Sequence, residues 1–139
     1  MKKILIVMAA TLIFNVAGVS QVKKFQQMIG SWEIVSSQDP GGKLEIIDSS
    51  TIVIRFMGEE KKLLQYKFDF SKSPFWFDFT AKDSASVSNF KSLIEFVNDD
   101  TMRWQIFIDE ERPDHFSSEG GEVLYLKRST AKPAVIAAN

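Results

Sequence analysis

The chain has 139 residues, with 17 Lys and Arg against 18 Asp and Glu, one His and no Cys, for a formal net charge of −1. That length is one domain's worth of core, and the missing cysteines exclude a disulfide scaffold and any thiolate metal site. No basic stripe is present to meet phosphates, which argues against a nucleic-acid partner, and 12 Phe and 3 Trp are on hand to supply the burial that stabilises a fold.

Lys2 and Lys3 precede an apolar run from Ile4 to Val19, and Gly18 and Ser20 suit the small-residue positions of a cut before Gln21. The run contains Asn15 and falls short of the roughly 20 residues of a spanning helix. Residues 1–20 are therefore read as a cleaved export signal, leaving no stable membrane anchor. No Cys stands near the cut to take a lipid. The expected location is secreted or periplasmic. Val22 to Ile29 predicts a short helical lead-in with Val22, Phe25, Gln26 and Ile29 on one side.

From there the pattern has period two. Trp32, Ile34 and Ser36 alternate with Glu33 and Val35, and Asp39-Pro40-Gly41-Gly42 makes a turn. Leu44 to Ile47 predicts a short, weaker strand. Ile52, Ile54 and Phe56 form the next face, ending at Met57-Gly58-Glu59. Leu64, Tyr66, Phe68 and Phe70 follow, then a turn at Ser71 to Pro74, then Phe75, Phe77 and Phe79. Lys82 to Asn89 reads as an exposed loop. Ile94 and Phe96 share a face, and Asn98 to Thr101 makes a hairpin turn. Met102, Trp104, Ile106 and Ile108 alternate, Glu110 to Gly121 is a loop, and Leu124, Leu126 and Arg128 close the pattern.

The fold class these strands imply is all-β, a small antiparallel up-and-down barrel of about eight strands. A two-sheet sandwich fits the same alternation. Closure has a physical advantage for strands this rich in Phe and Ile, because it removes unpaired edges. The barrel domain is assigned to residues 21–128. Residues 129–139 have no periodicity and read as a disordered tail.

Met28-Ile29-Gly30-Ser31-Trp32-Glu33-Ile34-Val35 resembles the opening of lipocalin-like bacterial domains. Phe68-Asp69-Phe70-Ser71-Lys72-Ser73-Pro74, Phe77-Asp78-Phe79-Thr80, Arg112-Pro113-Asp114-His115-Phe116 and Leu126-Lys127-Arg128 resemble one branch, a domain family found in planctomycete proteins. The resemblance runs from Phe25 to Arg128. It departs at Asp69-Phe70, where that branch has Asp-Pro, and at Leu93-Ile94-Glu95-Phe96, where it has a Gly-Ile-Tyr-like string. What it implies is the lipocalin-like barrel; the family carries no assigned activity.

Gly30, Trp32 and Arg128 are expected to plug one end of the barrel, with the Arg128 guanidinium stacked on the Trp32 indole. Phe56, Tyr66, Phe68, Phe77, Phe96 and Trp104 share the inward face and are the candidate ligand-binding residues. Such rings either fill a small barrel or line an apolar pocket. Asp69 and Asp78 flank one turn and are read as rim residues rather than an acid/base pair. Arg112 is expected to pair with a nearby carboxylate and Phe116 to tuck under the barrel. His115 alone, in a polar loop, supports neither a metal nor a haem site. Neither a catalytic triad nor a phosphate loop is recognisable, so the sequence reads as a non-enzyme without cofactor. The expected function is binding of a small apolar molecule; the alternative is a packed barrel serving as a non-catalytic interaction or envelope module.

Overall fold

The computed structural model describes residues 20–35, 41–82 and 84–130. The export signal read over residues 1–20 and the tail read over residues 129–139 lie outside them, apart from Ser20, Ser129 and Thr130. A helix, α1, covers residues 20–28. Nine strands follow: β1 Gly30–Ile34, β2 Lys43–Asp48, β3 Thr51–Phe56, β4 Glu59–Lys62, β5 Gln65–Asp69, β6 Phe75–Lys82, β7 Val87–Asn98, β8 Thr101–Ile108 and β9 Glu122–Arg128.

All nine belong to one curled antiparallel sheet in the order β4-β3-β2-β1-β9-β8-β7-β6-β5. Consecutive strands are neighbours except β4 and β5, and the first strand pairs with the last through Trp32 opposite Arg128 and Ile34 opposite Leu126. The up-and-down all-β fold expected from the sequence is therefore present, as a half-barrel whose edges are β4 and β5. A two-sheet sandwich is not what forms. The edges are consecutive in the chain, joined by Leu63 and Leu64 alone. Across this seam the Tyr66 hydroxyl donates a hydrogen bond to the Ser49 carbonyl.

The ninth strand is β4, Glu-Glu-Lys-Lys, whose side chains carry no apolar alternation to betray it. It is defined by its backbone pairing with β3, which Leu63 prolongs by donating its N–H to the Ile52 carbonyl at 2.9 Å. That hydrogen bond turns Leu63 into the core at 3 % exposure and leaves Leu64 outside at 75 %, so Leu64 does not share the face of Tyr66. β7 starts at Val87, inside the stretch read as a loop. Its polar first residues are held by backbone pairing to Thr80, Ala81 and Lys82 of β6 rather than by burial.

One end of the half-barrel is covered by α1. The face it uses is Met28, which is fully buried, with Phe25 edge-on to Phe68 at 5.7 Å and Phe70 at 6.5 Å. Val22 and Ile29, expected on that face, stay exposed. The β8–β9 connection folds back over the outside of β6–β8. Gln105 holds it there: its amide donates to the Ser117 and Gly120 carbonyls at 2.8 and 2.9 Å and accepts from the Ser117 N–H at 3.1 Å. Phe116 lies 3.8 Å from the Arg103 guanidinium, on the outer surface and not beneath the barrel. Gly121 ends the connection at φ +65°, and a Cβ there would meet the Ile106 carbonyl at 2.8 Å.

Candidate functional site: a cavity at the open end

The two ends of the half-barrel differ because different side chains reach them. At the α1 end, Gly30, Trp32 and Arg128 come together. The Arg128 guanidinium sits 4.1 Å from the Trp32 ring and donates to the Ile29 carbonyl at 2.9 Å and the Gln27 carbonyl at 2.8 Å. Those carbonyls end α1, where a cation is favoured by the helix dipole. Trp32 Nε1 donates to the Met28 carbonyl at 2.9 Å. Gly30 has φ +139°, and a Cβ there would press to 2.7 Å on Arg128 Nη1, so the close approach of arginine to backbone needs glycine.

Above this plug the interior is filled by rings. Phe68 stacks on Phe77 at 4.4 Å, Phe77 meets Trp104 at 5.9 Å, and Phe96 packs between Trp32 at 6.1 Å and Phe75 at 5.9 Å. Phe68 and Phe77 are thus packed against other rings, and Phe96 borders a smaller pocket beside Gln27, Asp99, Asp100 and Arg128. Tyr66 packs edge-on to Phe68 at 6.3 Å and spends its hydroxyl on the seam. Burial, with the Asp48 charge second, holds that hydroxyl's pKa above the ordinary tyrosine value.

Beyond the rings the half-barrel is hollow. A cavity of about 620 Å³ opens at the end away from α1, within the range of small-molecule sites. Of the six candidate ligand residues, Trp104 and Phe56 line it. Trp104 is at its buried side, 2 % exposed, and Phe56 at its rim, 41 % exposed. The wall also includes Ile34, Ile54, Phe79, Phe90, Ile106 and Leu124. These share the inward face with the six rings, and only their height along the strands sets them apart. That height depends on the stagger between neighbouring strands.

Charged side chains give the cavity its polarity. The charged groups of its lining are Lys43, Lys61, Glu59, Glu110 and Glu122, with Lys43 paired to Glu45 at 2.8 Å and Lys61 to Glu59 at 3.1 Å. Trp104 Nε1 and Arg103 Nε are buried with no hydrogen-bond partner among the described residues.

The carboxylates flanking the β5–β6 turn are separated by the register, which sets Asp69 opposite Trp76 and Asp78 opposite Lys67. Arg112 pairs with Asp78, one contact being Nη2–Oδ2 at 3.3 Å, and lies 3.7 Å over the Trp76 ring. Asp69 accepts hydrogen bonds from the Ser71 hydroxyl and N–H, which hold its carboxyl below the usual range. His115 is exposed in the β8–β9 connection. Among the described residues no group of three or more His, Cys, Asp or Glu is gathered to hold a metal ion. Compared with known proteins, the chain matches no family model, no curated protein and no solved structure.

Proposed function

We propose that the chain is an exported, non-catalytic lipocalin-like protein that holds a small, mostly apolar molecule in the open end of its half-barrel. The observation that carries this reading is the cavity of about 620 Å³ walled by Ile34, Ile54, Phe79, Phe90, Ile106 and Leu124. A protein interior ordinarily closes on itself at crystal-like density. This interior does so around Phe68 and Phe77 and then stops, although the same strands continue. The Lys2-Lys3 leader pattern supports export, and the Gly30-Ser31-Trp32 opening with Arg128 supports the lipocalin-like assignment. The engagement of Asp78 by Arg112 and of Asp69 by Ser71 supports a non-catalytic reading.

The test is titration with the neutral apolar dye Nile red, comparing the native chain with Ile106→Trp, whose larger ring would occupy the cavity. Saturable binding that weakens by about tenfold or more in the variant is expected. Equal binding by both proteins, or none by either, contradicts the reading. A second reading, an interaction module, draws on one feature of the outer surface. Val35 and Tyr125, joined by a backbone hydrogen bond of 2.8 Å, are both exposed there. A protein partner released by Tyr125→Ser but not by Ile106→Trp would favour it.

A further inference from the structure

We propose that the molecule held in this cavity is a cationic amphiphile, its apolar body against the wall and an ammonium group at the mouth beside Glu110 and Glu122. The inference rests on the binding reading above and sharpens it to a ligand class and an orientation. It starts from the phase of β9. Leu124 and Leu126 are its buried residues, so alternation puts Glu122 on their inward face. The register agrees: Glu122 stands opposite Ile106, and both residues line the cavity. On an edge strand, an inward charge discourages pairing with another chain, which accounts for Glu59 and Lys61 of β4. But β9 is not an edge strand; it lies between β1 and β8. Its inward carboxylate has no such explanation.

Glu110 joins it from the β8–β9 connection. Its Oε2 lies 3.7 Å from where a Cβ on Gly120 would stand, just before Glu122 in the chain, and Glu110 lines the same cavity. The cations of the lining are engaged elsewhere: Lys43 with Glu45 at 2.8 Å and Lys61 with Glu59 at 3.1 Å. Among the described residues no ion pair joins Glu110 or Glu122 to a cation. The mouth thus carries uncompensated negative charge over an apolar interior. A carboxylate or phosphate head meets like charge there, and a neutral head gains nothing from it. An ammonium is attracted by both carboxylates, and because both are exposed it keeps its contact with water and avoids the cost of burying a charge. The apolar remainder of such a molecule then lies along Ile34, Ile54, Ile106 and Leu124.

The experiment titrates the full chain by calorimetry with three probes that share one alkyl chain and differ in head group: decylammonium, 1-decanol and decanoate. Exposed charge pairs are worth little each, so decylammonium is expected to bind about threefold more tightly than 1-decanol. Decanoate should bind about threefold more weakly than the alcohol, a spread of about tenfold between cation and anion. The spread should shrink in high salt while 1-decanol binding does not weaken, a readout that needs no variant. Glu110→Gln with Glu122→Gln should bring decylammonium to the affinity of 1-decanol and leave the alcohol unchanged. Three equal affinities, or a cation preference that survives both substitutions, would overturn the cationic class while leaving the cavity a binding site. Tightest binding of decanoate would overturn it likewise. Binding of no probe would overturn the inference and the binding reading together.

Discussion

Arg128 does three jobs at once, and lysine cannot do all of them together. Its flat guanidinium lies on the Trp32 ring, caps the Ile29 and Gln27 carbonyls, and reaches the Asp99 carbonyl at 3.4 Å. An ammonium keeps the charge but has neither the planar fork nor the stacking face. Arg128→Lys is expected to cost about 1–3 kcal/mol, from the lost cation–π contact and one or two hydrogen bonds. A urea midpoint unchanged from the native protein would contradict this role. The meeting of Gly30, Trp32 and Arg128 was legible in the sequence because each residue type has a geometric reason to be there. Trp104 was legible only as an inward ring. That its N–H lacks an acceptor depends on which backbone carbonyls surround it, and no spacing of residues encodes that.

Among the elements, the seam between β4 and β5 is where the sheet is least tied together. The Tyr66 hydroxyl crosses it to Ser49 and must keep its proton to donate. Its pKa is raised in the folded protein, so the stability it contributes is fully present below the ordinary tyrosine pKa of about 10. That contribution is lost as pH rises through the raised folded value. Tyr66→Phe should lower stability at neutral pH by about 0.5–1.5 kcal/mol and remove this alkaline loss. Denaturation midpoints of the two proteins, measured at neutral and strongly alkaline pH, should converge. Parallel profiles would contradict the account. The strands on either side show what alternation can reveal. β6 and β8, with Phe75, Phe77 and Phe79 and with Met102, Trp104 and Ile106 facing inward, are plain in the sequence. β4 and the exposed start of β7, Val87 to Asn89, carry no buried apolar face, and backbone pairing makes them strands.

At the scale of the whole molecule, the half-barrel is a packed end joined to a hollow one. Alternation identifies the inward face all around the sheet, but both ends share that face. Phe77 is therefore indistinguishable from Phe79 until strand stagger assigns one to the ring stack and the other to the cavity wall. The expectation that six rings form the binding surface follows from the face and omits the height. Aliphatic side chains and the rings of Phe56, Phe79, Phe90 and Trp104 share the wall, while Phe68 and Phe77 pack below it. The central claim is that this cavity holds a small, mostly apolar molecule. The direct measurement is native mass spectrometry of the protein isolated from its native cells, compared with the same sample denatured. The account predicts extra mass that is released on denaturation and belongs to a mostly apolar compound. A bare protein mass, unchanged after incubation with Nile red, would contradict it.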